Sequence, residues 1–155
     1  MKNLDFYHQV SKIGFETHYQ NLESHCILAL LPSYLERSDS SLVSMAQYFM
    51  SQSDYKKESG FFLQNFEDLK NAILYCQQEK INIILLGVSF ALLDFAEQFP
   101  IPLENTIIME TGGMKGRRKE MIRTELHDIL KKAFCVENIH SEYGMTELLL
   151  SLIHI

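Results

Sequence analysis

The sequence predicts an α/β fold, with a predominantly parallel sheet flanked by helices. Short, continuously apolar runs recur along the chain, and segments with helical spacing of apolar residues separate them. Strands that are apolar on both faces are typical of parallel sheets covered by helices on both sides. The 155 residues, 46% of them hydrophobic and 22% charged, are enough for one such domain.

Four apolar runs are predicted to be strands, because each is short and ends at a proline, a glycine or a turn. Pro32 ends the first run, and glycines at 87, 112, 113 and 144 fall at the ends of the later ones. In a parallel sheet, ligands bind where strands end and the following loops begin. The predicted strands are Cys26 to Leu31, Ile81 to Leu86, Thr106 to Met109 and Asn138 to Ser141.

Four helices are predicted between these strands. Ser40 and Ser41 cap the first, and Pro100 and Pro102 end the third. The first three run from Ser41 through Phe49, from Phe66 to Glu79 and from Phe90 to Phe99. The fourth is a long amphipathic segment that follows Gly112-Gly113. That segment has an apolar face of Ile122, Leu126, Ile129, Leu130 and Ala133, and a polar face of Arg118, Lys119, Arg123, Glu125, Lys131 and Lys132.

Composition excludes several classes of function. The net charge of −6 argues against general binding to nucleic acid or to anionic membranes, since phosphate attraction needs excess Lys and Arg. No apolar run approaches the ~20 residues of a membrane-spanning helix, and the N-terminus has no apolar signal core. A cytoplasmic protein without a membrane span is therefore expected.

The cysteines and histidines indicate neither a disulfide framework nor a zinc site. Cys26, Cys76 and Cys135 are widely spaced, which favours a reducing compartment. Each lies beside apolar residues and is expected to be a small buried hydrophobic side chain. The six histidines have no metal-ligand spacing, so no zinc is expected.

The segment from His140 to Glu147 is the first candidate site. A strand is expected to end in a turn at Tyr143-Gly144, and Thr146 and Glu147 are expected to begin a helix. The aromatic ring could stack on a base, the hydroxyl could contact a phosphate, and the carboxylate could hold Mg²⁺. A capped helix start with an acidic first turn explains the same residues without a ligand.

The segment from Glu110 to Gly116 is the second candidate site, again between a strand and a helix. Its paired glycines, Gly112 and Gly113, allow a flat ligand to approach the backbone, although a tight turn would need them equally. The basic run that follows, residues 115–119, is interpreted mainly as a solvated helix start. Contact with a phosphate or a partner is the alternative.

These segments resemble the adenylate-forming superfamily. Tyr143-Gly144-Met145-Thr146-Glu147 is similar to its YGxTE motif. Three other segments, all earlier in the chain, occur in the same order as in the superfamily. Leu30 to Leu35 resembles the LPLFH segment, Leu86 to Ser89 the GVP-type strand end, and Thr111 to Met114 the adenine loop. The amino-acid sequence between the motifs is most similar to the acyl-protein synthetases of bacterial bioluminescence operons and to related acyl transferases of Bacteroidetes-type genomes.

The resemblance implies an acid–thiol ligase that uses ATP and Mg²⁺ to activate a fatty acid and passes the acyl group to a protein thiol. It assigns Tyr143 to adenine stacking, Thr146 to the AMP phosphate and Glu147 to Mg²⁺. It places the remaining nucleotide-binding residues at Gly112, Gly113, Met114, Ser141, Glu142, Gly144 and Met145. Leu35 stands where the superfamily's motif has histidine, so entry to the acyl tunnel is expected to differ.

The same resemblance implies that residues 1–149 are part of an adenylation domain. The phosphate loop expected before Cys26 and the C-terminal lid domain are not in the sequence, and residues 1–25 resemble the helix after that loop. Residues 150–155 resemble one translated frame of a sequencing-library adapter and are expected to be non-native, interrupting a helix. A genuine apolar C-terminal strand or helix is the alternative. The chain by itself is expected to be inactive.

Three alternatives remain open from the sequence. The acyl group could pass to coenzyme A, as in phenylacetate-CoA-type ligases. The chain could be a non-catalytic nucleotide-binding module, because the phosphate loop is not in it. It could also be an interaction protein that uses the basic face from Arg117 to Arg123.

Overall fold

Strands and helices alternate along the chain in the computed structural model, which describes residues 4–19, 21–32, 41–112, 118–145 and 150–153. The strands are β1 (His25–Leu30), β2 (Gly60–Phe62), β3 (Asn82–Val88), β4 (Thr106–Thr111), β5 (His140–Met145) and β6 (Leu150–Ile153). The helices are α1 (Leu4–His18), α2 (Ser41–Gln52), α3 (Phe66–Gln78), α4 (Ser89–Gln98) and α5 (Arg123–Phe134).

The strands form one sheet in the order β2-β1-β3-β4-β5-β6. The first five strands are mutually parallel, and β6 pairs antiparallel with β5. The predicted α/β fold, with a predominantly parallel sheet flanked by helices, is therefore confirmed.

Each face of the sheet carries its own hydrophobic core, which explains why the strands are continuously apolar. On β1, the side chains of Cys26, Leu28 and Leu30 pack with α3, α4 and α5. The alternate residues, Ile27 and Ala29, pack with α1 and α2 on the opposite face. Every residue of β1 is buried, as expected for a strand between two helical layers.

The chain reverses its direction of travel across the sheet at β1. From β1 it passes by α2 to β2 on one side, and then by α3 to β3 on the other side. Because α2, which follows β1, and α4, which follows β3, cover opposite faces, the chain leaves the carboxyl ends of these two strands toward opposite faces of the sheet. In doubly wound sheets this switch point is where ligands bind.

Two short strands were not predicted. β2 has three half-buried residues at the edge of the sheet, too few to show a periodic pattern. Residues 150–153, expected to be a non-native tail that interrupts a helix, form β6 and pair with β5. An edge strand offers unpaired backbone groups that an adjoining extended segment satisfies.

The helices are short. They contain 10 to 15 residues, and among the helices of the described ranges none has the length and apolar character that crossing a bilayer requires.

The predicted face of α5 is partly wrong. The helix begins at Arg123, so Arg118 and Lys119 precede it and are not on its polar face. Leu126 and Leu130 are buried as predicted, whereas Ile122 is 70% exposed and Ile129 is 40% exposed. His127 and Phe134 are buried in their place, which rotates the buried face of α5 toward β4.

The prediction for the cysteines is correct at two of three positions. Cys26 and Cys76 are fully buried, and a hydrogen bond with Cys76 together with burial raises the pKa of the Cys26 thiol. Cys135 is exposed, because it occupies the left-handed position that ends α5. All three are free thiols.

Candidate functional site

The two segments singled out by sequence meet at one edge of the sheet. β4 and β5 are parallel neighbours, with Met109 opposite His140 and Glu110 opposite Ser141. β3 flanks β4 on its other side, with Val88 opposite Thr111. The carboxyl end of β4 therefore lies beside the carboxyl end of β3 on one side and beside Ser141 of β5 on the other.

The glycine loop begins with a left-handed turn, as expected from its paired glycines. Gly112 directly follows β4, is exposed and has a φ of 74°. This left-handed backbone is disfavoured for residues with a Cβ, so glycine is needed here. Gly113 and Met114 lie outside the described residues.

The tyrosine–glycine segment differs from the expected turn. β5 continues through Met145, so Tyr143 and Gly144 have strand backbone. The pairing of β6 with β5 explains this difference, since Glu142 lies opposite Leu152 and Met145 opposite Leu150. The register shifts between Glu142 and Met145, so the strand is irregular where the turn was predicted.

Several predicted site residues are not placed by these observations. The side chains of Glu142, Tyr143 and Met145 are not among those described, although their backbone is. Thr146 and Glu147, with the helix start predicted there, lie outside the described residues. Ser141 is fully placed: it is buried, and its hydroxyl donates a hydrogen bond to Glu110.

Glu110 is the centre of a buried polar cluster at this edge. The residue is 4% exposed. Its Oε2 accepts a hydrogen bond from Ser89 Oγ at 2.8 Å, and its Oε1 accepts one from Ser141 Oγ. His127 Nε2 lies 3.4 Å from Oε1 and donates in the tautomer that carries a proton there. Three elements thus contribute donors to one carboxylate: α4, β5 and α5.

Arg123, on α5, places a positive charge near the Glu110 carboxylate. Arg123 Nε lies 3.8 Å from Oε1, and the Arg123 side chain is 52% exposed, compared with 6% for that of Glu110. A buried carboxylate is costly unless it is hydrogen-bonded and paired. Arg123 and His127 stand one helical turn apart, and this spacing directs both side chains toward Glu110.

Ser89 connects this cluster to the glycine turn. Besides its bond to Glu110, Ser89 Oγ lies 3.3 Å from the carbonyl oxygen of Gly112 and 3.5 Å from that of Thr111. The hydroxyl has a single hydrogen, which the 2.8 Å contact assigns to the carboxylate. The carboxylate therefore sets the orientation of a hydroxyl that touches the turn.

A pocket of about 340 Å³ lies at the switch point of the sheet. Pro32 follows β1, Leu63 follows β2, and Phe90 and Ala91 begin α4, so the pocket opens at the same edge as Glu110. Apolar residues form part of its lining, and polar and acidic ones the rest, including Asp94 and Glu97. Phe90 immediately follows Ser89, so the pocket adjoins the polar cluster.

Arg118 fixes the chain after the glycine loop to α4. Its guanidinium contacts Asp94 Oδ1 at 2.7 Å and Glu97 Oε1 at 2.6 Å. The hydrogen bond from Arg118 holds the pKa of Glu97 below its ordinary value, and both carboxylates raise the pKa of Arg118. The interpretation of the basic run as a helix start is therefore wrong at Arg118, which precedes α5 and forms two ion pairs.

His140 has a different environment from the rest of its motif. Its Nδ1 lies 3.0 Å from Tyr19 Oη, and the two rings meet edge to face at 5.1 Å. Burial raises the pKa of Tyr19 to about 12. This contact joins the end of α1 to the start of β5.

The described residues do not supply a metal site. Among the side chains of these ranges, no group of three or more His, Cys, Asp or Glu residues is arranged to hold a metal ion. Both oxygens of the buried Glu110 carboxylate already accept hydrogen bonds, and Glu147 lies outside the described residues. Glu147 thus stays the sequence-based candidate for Mg²⁺.

The sequence assigned no binding role to four residues of this cluster, although Glu110 begins the second candidate segment and Ser89 ends the GVP-type segment: Ser89, Glu110, Arg123 and His127. One signal was available in the sequence. His127, Leu130 and Phe134 share the face of α5 that carries Leu126, and a histidine with that spacing is expected to be buried beside a polar partner. The partner itself could not be identified, since it comes from another element.

Comparison with protein-family models, with curated proteins and with solved structures finds no match for this chain. The resemblance to adenylate-forming enzymes is therefore carried by the motif residues alone.

Proposed function

We propose that this chain is the nucleotide-binding part of the large N-terminal domain of an enzyme that activates a fatty acid with ATP. The observation that carries the proposal is the pairing of β4 with β5, with Glu110 opposite Ser141. This pairing brings the Gly112 turn next to the Ser141–Met145 segment. A single adenine nucleotide bound between the two motifs requires that arrangement.

The proposed reaction has two steps. An oxygen of the fatty acid carboxylate attacks the α-phosphorus of ATP, and the bond to pyrophosphate breaks to leave an acyl-adenylate. A thiolate of an acceptor protein then attacks the acyl carbonyl, and AMP leaves. Positioning and charge neutralisation account for catalysis of such displacements.

The motif resemblance supplies the roles of the residues. Tyr143 stacks on adenine, Thr146 contacts the phosphate, and Glu147 holds Mg²⁺. Bound Mg²⁺ would neutralise phosphate charge. The wall of the nucleotide pocket comes from Gly112, Gly113, Met114, Ser141, Glu142, Gly144 and Met145. The exposed Gly112 turn supports this assignment, because its backbone is open to a ligand.

The pocket at the switch point supports a second binding region for the acid. Its volume of about 340 Å³ lies beside Ser89, and Ser89 contacts the carbonyl oxygen of Gly112. An acid held there would have its carboxylate near the nucleotide loop. We place the enzyme in the cytoplasm, a compartment in which the free thiols at Cys26, Cys76 and Cys135 are expected to persist.

ATP–pyrophosphate exchange tests the first step. The assay uses protein translated from the complete reading frame that contains these residues, with a panel of fatty acids of increasing length. We expect exchange that requires both a fatty acid and Mg²⁺. Glu147→Gln should lower the exchange rate by roughly 100-fold, because it removes a ligand of the charge-neutralising ion.

The matched control is Glu137→Gln, which removes an exposed carboxylate and should leave the exchange rate unchanged. Full Mg²⁺-dependent exchange in Glu147→Gln would contradict the metal assignment, and absence of exchange with every acid would contradict the function. Trapping of the acyl group with hydroxylamine, with and without coenzyme A or an acceptor protein, identifies the acceptor.

A further inference from the structure

We propose that Glu110 is a positioning residue, whose carboxylate fixes the Gly112 turn relative to β5 and thereby shapes the nucleotide pocket in advance. The identity of the ligand rests on the proposed function. The positioning itself is carried by contacts between Glu110, Ser89 and Ser141.

The Glu110 carboxylate is buried. The Glu110 side chain is 6% exposed, although the residue ends an otherwise apolar run of β4 at the edge where ligands bind. Replacing a buried ion pair by apolar residues is often neutral for stability. A carboxylate at this position therefore calls for an explanation other than stability.

Glu110 is connected to the Gly112 turn through Ser89. Glu110 Oε2 takes the hydrogen of Ser89 Oγ at 2.8 Å, and the same hydroxyl lies 3.3 Å from the carbonyl oxygen of Gly112. If the carboxylate is absent, the Ser89 hydrogen is free to bond to the Gly112 carbonyl and pull on the turn. The Glu110 carboxylate thus determines a contact with the residue that has a φ of 74°.

Glu110 also contacts β5. The other oxygen, Oε1, accepts the hydroxyl of Ser141, which stands directly opposite Glu110 in the β4–β5 ladder. One carboxylate therefore connects the turn after β4 to the strand that continues into Tyr143. An amide cannot accept on both atoms, so Gln cannot reproduce this arrangement.

Two side chains of α5 also lie close to the Glu110 carboxylate. His127 Nε2 at 3.4 Å and Arg123 Nε at 3.8 Å both face Oε1. These two residues and the hydroxyls of Ser89 and Ser141 are the described polar groups that face the carboxylate. They come from α4, β5 and α5, and together they orient the carboxylate between the turn and β5.

The experiment compares Glu110→Gln and Ser89→Ala with the unchanged 155-residue chain. Two readouts are measured below the unfolding temperature of every variant: the Kd for AMP by calorimetry, and the backbone amide signal of Gly112 by NMR. We expect both variants to shift the Gly112 signal and to raise the Kd about tenfold. The double variant should lose no more affinity than the single variants, because both act through one contact.

Glu125→Gln, an exposed carboxylate on α5, is the matched control and should change neither readout. An unchanged Gly112 signal in Glu110→Gln and Ser89→Ala would overturn the positioning role. So would a lower unfolding temperature with an unchanged Kd in a chain that binds AMP. If the unchanged chain fails to bind AMP while Gly112 shifts in both variants, positioning stands and the nucleotide assignment fails. Ser89→Ala removes one hydroxyl, which keeps the test valid if Glu110→Gln does not fold.

Discussion

At the residue scale, the absence of a side chain at Gly87 lets α4 pack directly on β3. A Cβ built at this position would lie 2.7 Å from both Cγ and Cδ2 of Leu92. Leu92 is fully buried, so it has no space into which it can move. Gly87 is thus required for close approach of helix and strand, two residues before Ser89.

We predict that Gly87→Ala lowers the free energy of unfolding by about 1–3 kcal/mol, the usual cost of overpacking a filled core. Urea denaturation measures the change. Gly60→Ala is the control, because a Cβ there meets no atom within 4 Å, and its effect should stay within about 0.5 kcal/mol. Equal effects of the two substitutions would refute the packing argument.

At the element scale, α5 shows how a helix end is fixed by backbone conformation. Cys135 ends the helix with φ 54° and ψ 44°, and its N–H donates to the carbonyl oxygen of Lys131. This left-handed cap is the conformation in which helices usually have glycine. Arg123 and His127 extend from the other end of α5 to Glu110, so the position of the helix also orients two residues of the cluster.

Cys135→Gly is therefore expected to stabilise the protein by about 0.5–1 kcal/mol, since glycine adopts the left-handed conformation without a Cβ penalty. The gain is measured as a higher urea midpoint with an unchanged slope. Cys135→Ser keeps the Cβ and should leave the midpoint where it is. If Ser and Gly raise the midpoint equally, loss of the exposed thiol explains the change and the cap does not.

At the scale of the whole molecule, the sheet is most tightly held at its centre. β1 and β3 pair on both sides and lie between the two hydrophobic cores, whereas β2 is a three-residue strand at the edge. Opening of the central strands would expose both cores. Local opening at the edge exposes little apolar surface, so it costs less free energy.

Hydrogen exchange should therefore be slowest in β3 and at least about 100-fold faster in β2, because the protection of an amide follows the free energy of the opening that exposes it. Exchange followed by NMR or mass spectrometry checks this, with the exposed Gly112 as the fast reference. Equal protection of β2 and β3 would mean that the sheet opens as a single unit.

The sequence by itself determined the α/β class, the existence of the four longer parallel strands and the helices between them, although β5 runs from His140 to Met145 and not from Asn138 to Ser141. It could do so because burial between two helical layers makes a strand apolar along its whole length, a local signal. It also placed Gly112 correctly, since a glycine after an apolar strand indicates a turn. β2 and β6 escaped prediction because edge strands depend on the neighbour that they pair with.

Only the tertiary structure decided the composition of the polar cluster. Ser89, Glu110, His127 and Ser141 lie on four different elements, and no spacing along the chain relates them. The exposure of Ile122 and the burial of His127 follow from the same contacts. The cause is physical: a charge is buried only where donors from several elements converge on it, and that convergence is a property of packing in three dimensions.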